Sequence, residues 1–357
     1  MRLTRCIAAS AALAALLAAA PAASAGVPRS VHDYYVSPRG SDTNTGTRSS
    51  PFADIQRALD AAGPGSTVHL APGRYLQDFV SRSPGVTVTG PASAVVQGSG
   101  TGRAVAEIQH DDVRLTGFTV DGLIGDPTQK SGYRKKLIYV MGTTAGDGVD
   151  GLRITRMNLR NAGEECVRLR YLITGAEVAH NRITGCGVWD FRFDDGGKVG
   201  EGIYVGTAPE QQGMNGAPDD RPDVSRDNWI HHNLINTQGN ECVDIKENST
   251  ANLVERNDCT GQRDPNSAGL DARGSGNTFR ANRSHDNVGA GVRVGGDTPA
   301  DGTRNTIEGN VLLSNAAGGI KFEATPQGQV CGNTLVGNTG GDATGTYGNE
   351  YVPSRPC

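Results

Sequence analysis

The sequence predicts an all-β fold, a single-stranded right-handed parallel β-helix with an N-terminal capping helix. Three observations carry this. Asparagines recur at the period of a supersecondary unit. A short strand with period-2 alternation recurs in step with them. Glycine is abundant, at 50 of 357 residues, in a chain only 36% hydrophobic.

The asparagines are Asn181, Asn233, Asn257, Asn282, Asn310 and Asn333, and after Asn233 the steps are 24, 25, 28 and 23 residues. A period of this size marks stacked units that bury their apolar faces against one another. The leucine pattern of leucine-rich repeats is absent. Stacked asparagines at a corner satisfy turn backbone between coils, a structural role.

Six strands align without gaps: ECVRLR (165–170), EGIYVG (201–206), ECVDIK (241–246), AGLDAR (268–273), AGVRVG (290–295) and GGIKFE (318–323). Their third and fifth columns are purely apolar, so these face a core and the fourth and sixth are expected to face solvent. The second column holds only Cys or Gly, which implies a bend before the strand. Weaker rungs stand at 86–90, 113–120 and 152–159.

SPFADIQRALDAA (50–62) places Phe52, Ile55, Ala58, Leu59 and Ala62 at helical spacing, with Ser50 as cap and Pro51 as first residue. A solenoid needs such a cover over its end. Residues 207–228 form a long polar insertion between coils, of a length that loops reach for function.

Residues 1–25 read as a secretory signal: Arg2 and Arg5, an Ala/Leu-rich run, then Ala23-Ser24-Ala25 before Gly26. The expected mature chain, 26–357, is one extracellular β-helix domain. No segment is apolar enough to span a membrane. Six cysteines remain after the signal, an even number that implies disulfides. Pairing sequence neighbours gives Cys166–Cys186, Cys242–Cys259 and Cys331–Cys357. The net charge of −4 and the lack of a basic run argue against a nucleic-acid partner. A monomer is expected.

The outward columns hold the candidate chemistry. The fourth reads Arg168, Tyr204, Asp244, Asp271, Arg293, Lys321, and the sixth reads Arg170, Gly206, Lys246, Arg273, Gly295, Glu323. Lys246 and Arg273 therefore stack on adjacent rungs. Two such cations should lower the lysine pKa and make it a base. Tyr204, Asp271 and the arginines Arg168, Arg170 and Arg293 are candidates for binding an anionic polysaccharide.

ECVDIKENSTANLVERN followed by GLDARGSGNTFRAN resembles polysaccharide lyase family 6, the chondroitinase B and alginate lyase type. The stretch YYVSPRGSDTNTGTRSSPFADIQRALDAAGPGSTVHLAPGRY resembles the start of secreted pectate-lyase-like enzymes of families 6 and 9. The resemblance implies a lyase that breaks a uronic-acid polymer by β-elimination, with Lys246 as base, Arg273 near the leaving oxygen and Ca2+ on the uronate. Of the family's two glutamates Glu241 matches one, and Gly239 stands where the other would be. Glu201, and Glu165 before it, share the Glu241 column and offer replacement oxygens. An extended strand would put Glu241 about 16 Å from Lys246, so shared action needs the bend. Without it Asp244 and Asp271 are the better ligands. The metal candidates are Glu201, Glu241 and Asp244. The family often has His after the arginine; here it is Gly274. His231, His232 and His285 read as structural or surface residues.

Other readings remain open: a glycoside hydrolase using Asp244 and Asp271, a uronan C5-epimerase, or a non-catalytic carbohydrate-binding β-helix.

Overall fold

The computed structural model describes residues 31–196 and 199–357. The expected signal, 1–25, lies outside them. The chain winds through three parallel sheets, one strand of each per coil. Sheet 1 runs from Asp33–Val36 to Val330–Cys331, sheet 2 from Gly73–Tyr75 to Thr334–Val336, and sheet 3 from Phe79–Val80 to Ala343–Thr344. This is the β-helix that the periodicity predicts.

All six aligned strands lie in sheet 3, in the predicted register. Val167, Ile203, Val243, Leu270, Val292 and Ile320 are successive partners. Every residue of the third and fifth columns is fully buried, which gives the core one continuous apolar stack along the axis. Most of the weaker rungs fall in sheets 1 and 2.

The second column is small because it points inward against sheet 2. A Cβ on Gly269 would meet Ser284 Oγ at 2.4 Å, and one on Gly319 would meet Leu335 Cδ2 at 2.2 Å. A cysteine is admitted where it forms a cross-link. Cys242 bonds Cys259 of sheet 2, and Cys166 bonds Cys186 at the following corner. Cys331–Cys357 ties down the C-terminus, so all three expected pairings form.

Inward second and third columns force the expected bend. In a regular strand, residues three apart face opposite sides. Here Glu165 and Arg168 approach to 3.7 Å, and carboxylate oxygens of Glu241 and Asp244 lie within 4.8 Å. The first and fourth columns thus share the outer face.

The asparagine ladder is continuous. Asn181, Asn233, Asn257, Asn282 and Asn310 each donate from Nδ2 to the Oδ1 of the next, at 2.9–3.0 Å, and the ladder ends at Asn333. A second ladder includes Asn228, Asn252 and Asn277, and a third includes Asn287, Asn315 and Asn338.

The capping helix is shorter than predicted. It spans Ile55–Ala61, and Asp54 rather than Ser50 caps it, accepting from Gln56 N at 2.6 Å. Pro51 stands between two isolated bridges, Ser50 with Thr47 and Phe52 with Val36, so the helix starts after them. The apolar face is as expected, with Phe52, Ile55, Ala58, Leu59 and Ala62 buried over the first coil. At the other end Tyr351 stacks on Phe322, with centroids 4.2 Å apart.

Candidate active site

The outer face of sheet 3 is not the solvated face the alternation suggests. Arg168, Tyr204, Asp244 and Asp271 are at most 4% exposed. The insertion between Ile203–Val205 and Trp229–His231 folds back over the Arg168 and Tyr204 end of this face, and Lys246, Arg273 and Arg293 cover Asp244 and Asp271. Arg170 anchors the insertion by donating from Nη2 to the carbonyls of Gln211 and Met214 at 2.7 and 2.9 Å. Arg170, a candidate for binding substrate, thus holds the loop and also lines an adjoining cleft. Arg170→Met is expected to leave the fold intact and expose 209–216 to limited proteolysis; an unchanged cleavage pattern would count against this anchor.

Beneath the loop lies a cavity of about 320 Å³ lined by Glu165, Arg168, Glu201, Tyr204, Gln211, Lys246, Arg273 and Asp297. It shares Glu165, Arg168 and Gln211 with a cleft of about 770 Å³ that continues past Lys136, Tyr139 and Trp189. Together they form a groove across several coils, the shape an extended polymer needs.

Lys246 and Arg273 follow directly on paired residues Ile245 and Ala272, as the register predicts. Lys246 Nζ lies 2.9 Å from Asp244 Oδ2 and 4.9 Å from the Tyr204 ring centre. Arg168, one coil earlier, is stacked 3.3 Å from the same ring centre. The lysine pKa moves opposite to expectation. Burial lowers it most and Arg273 lowers it too, but Asp244, Tyr204 and Glu201 together outweigh them and hold the resting ammonium well above its ordinary range. Arg273 pairs with Asp297 at 2.7 Å and Glu247 at 3.5 Å. Burial works against its charge, yet Asp271 and Asp244 raise its pKa further. Arg293 grips both oxygens of Asp271, at 3.0 and 3.1 Å, which neutralises that carboxylate.

Glu201, Glu241 and Asp244 converge as the three metal candidates. All are buried. Burial pushes Glu201 up to about 7, with Glu165 and Asp244 adding to the rise. Burial and Asp244 likewise raise Glu241 well above the carboxylate range. Asp244 Oδ1 is buried without a hydrogen-bond partner among the described residues. Three crowded carboxylates with a spare buried oxygen fit a hard divalent cation, which prefers oxygen donors. Glu165 stands apart because Lys136 and Arg168 claim it, and Ser267 donates to Glu241.

Both departures from the family pattern have steric reasons. A Cβ at Gly239 would lie 2.2 Å from the Cys186 carbonyl, and one at Gly274 would lie 2.1 Å from that of Ser249. Neither a second glutamate nor a histidine fits there.

Sequence reasoning missed one rung of this site. KLIYVM (136–141) pairs with ECVRLR through Ile138, Tyr139 and Val140. Lys136 therefore heads the glutamate column, and Tyr139 precedes Arg168 in the fourth. Leu137 in the second column hid the rung from a Cys/Gly rule. The apolar columns alone would have found it. The short helix Val188–Phe193, which brings Trp189 to the groove, carried no repeat signal.

Among solved structures, an alginate lyase from Paenibacillus sp. str. FPU-7 superposes with a TM-score of 0.64 at 18% identity, over 87% of this chain and 99% of that one. Pectate lyase Pel9A gives 0.57 at 12% identity, over 88% and 79%. A mannuronic acid specific polysaccharide family 6 lyase from human gut microbiota gives 0.56 at 18%, over 86% and 67%. At these identities the likeness is one of fold, and at that level the resemblance to polysaccharide lyases is borne out. No curated protein matches the sequence. A family model described as "Protein of unknown function (DUF1565)" matches residues 38–286, and the chain belongs to that family.

Proposed function

We propose that the protein is a secreted polysaccharide lyase that cleaves a uronic-acid-containing polymer by β-elimination, with calcium assistance. The observation that carries this is the pairing of Lys246 and Arg273 on adjacent coils in one groove, beside a crowded, buried carboxylate cluster of which Glu201 lines the same cavity.

Lys246 takes the C5 proton of the uronate, the C5–H electron pair forms the C4–C5 double bond, and the C4–O4 bond breaks. Before that Lys246 must release the proton of its resting ammonium to water in the groove, and Asp244 at 2.9 Å keeps its Nζ in place. Arg273 is too strong a cation to donate a proton. It stabilises the charge on the departing oxygen, which is protonated from water. Glu201, Glu241 and Asp244 would hold calcium, which supplies neutralisation of the uronate carboxylate as charge builds there. Arg168, stacked on Tyr204, and the Arg293–Asp271 pair shape the groove around the polymer. Three disulfides agree with export, and among the described residues no helix is long and apolar enough to cross a membrane.

One observation favours a second reading. Glu201, pushed up to about 7, has the protonation of a general acid, as a hydrolase would need. A panel of alginate, pectate and dermatan sulfate separates the two. The lyase gives an ultraviolet-absorbing unsaturated end; a hydrolase gives reducing ends without it. Loss of ultraviolet product while reducing ends persist would defeat the proposal.

The metal assignment has its own test. Glu201 titrates near 7 in the folded chain against an ordinary 4.5. Between those values the native chain holds more protons than the unfolded one, so stability falls as pH rises through the window. In chelator, Tm is expected to drop from about pH 5 to about pH 8, and calcium to raise Tm more at the higher pH. A calcium shift that is absent, or larger in acid, would refute it.

A further inference from the structure

The outer face of sheet 1, away from the groove on sheet 3, carries an unassigned cluster. We infer that His180, His231 and His232 form a binding site for one divalent transition-metal ion of the imidazole-preferring class, Zn2+ or Cu2+.

The winding brings these residues together. His180 and His232 hold the same corner on adjacent coils, each just before a ladder asparagine, with φ of 58° and 52°. Their rings stack with centroids 5.0 Å apart. His231 lies on the strand Trp229–His231, whose neighbour Glu177–Ala179 leads into His180. One ring nitrogen from each histidine lies within 4.8 Å of the other two. A tetrahedral zinc with about 2.0–2.1 Å bonds holds its ligand atoms roughly 3.3 Å apart, so side-chain rotation alone closes the set. Nδ1 of His231 and Nδ1 of His232 are already 2.8 Å apart.

The support around His231 is that of a ligand. Its Nε2 lies 3.3 Å from Glu177 Oε1, which orients the ring and leaves Nδ1 turned toward His232. A carboxylate on the far nitrogen fixes the tautomer of metal-binding histidines and raises their basicity. Trp229 stacks on the same ring, centroids 3.7 Å apart, and Trp229 Nε1 donates to Glu255 at 2.9 Å, so the ring plane is held. His231 is buried whereas His180 and His232 are exposed, which gives an ion entry from solvent. Three imidazoles suit zinc and copper and are poor donors for calcium, so this site and the carboxylate cluster take different metals.

The test uses untagged mature protein carrying Trp189→Phe, which leaves Trp229 as its one tryptophan, since the chain has two. Calorimetric titration with Zn2+ should give one ion per chain with a micromolar Kd. Cu2+ should quench the Trp229 emission with the same stoichiometry. His180→Ala with His232→Ala should abolish both signals. Alanine is tolerated at this corner, because Ala281 holds the equivalent position at φ 52°. Glu177→Gln, which keeps the ring neighbour but not its charge, should weaken binding roughly 10–100-fold. Zinc binding that is absent, or that survives in the double variant, overturns the site.

Discussion

Lys246→Ala is expected to lower the rate of uronan cleavage by roughly 10²–10⁴-fold, the contribution of a positioned general base. Lys246→Arg should not rescue it, because guanidinium keeps the charge but cannot give up its proton. If Lys246 served only as a fixed cation, the arginine variant would work, so this pair of variants separates the roles. The alanine variant should also be less stable. Asp244 would then face Glu201 and Glu241 with its ammonium gone, and losing one partner of a buried pair costs about 3–5 kcal/mol. Calcium should restore stability but not turnover. Initial rates of unsaturated product and a Tm measured with and without calcium read both effects. An alanine variant retaining most of its activity would end the base assignment.

Asn257→Ala is expected to be the most damaging small substitution outside the site. Asn257 Nδ2 donates to the Ile230 carbonyl at 2.9 Å and to Asn282 Oδ1 at 3.0 Å, and its Oδ1 accepts from Asn233 N and Nδ2 at 3.0 and 2.9 Å. All of these groups are buried between coils. Stranding a buried polar group costs about 1–3 kcal/mol, and a cavity that admits one water recovers part of it. A net loss of about 3–5 kcal/mol is expected by chemical denaturation. Asn338→Ala makes the control. Asn338 stands at the open end of its ladder and is only half-buried, so water replaces its bonds and the loss should be smaller. Equal losses at both positions would show that the ladder is not what holds the coils in register.

The β-helix was legible because its determinants are periodic. Apolar columns three and five of sheet 3, the ladder asparagines and the cysteine pairs each repeat or pair along the chain, so the register of Val243 on Leu270 followed from alignment alone. The meeting of Glu241 with Asp244 was legible only through the Cys/Gly column, where a missing side chain signals a bend. What stayed hidden was not periodic. The insertion is tied down to Arg170 of the sixth column through backbone carbonyls of Gln211 and Met214, groups every residue carries. Likewise the sign of the Lys246 shift depends on a 2.9 Å approach to Asp244, against a neighbouring arginine that alignment could see. His180 and His232 looked unrelated because 52 residues, lengthened by the insertion, separate positions that are one coil apart.

The bend between columns one and four makes the acidic site portable. A single strand reading Glu, small, apolar, Asp is a complete two-pronged claw, needing only a carboxylate from the coil below. Glu201 heads the same pattern with Tyr204 in the fourth place, and Glu165 is the carboxylate on the coil below it. One substitution, at Tyr204, would draft a second claw a coil nearer the N-terminus. On this scaffold a site can migrate along the axis by point mutation while the winding stays unaltered, and the reach of the groove on either side of the acidic cluster can be reset in steps of one coil, about 4.8 Å.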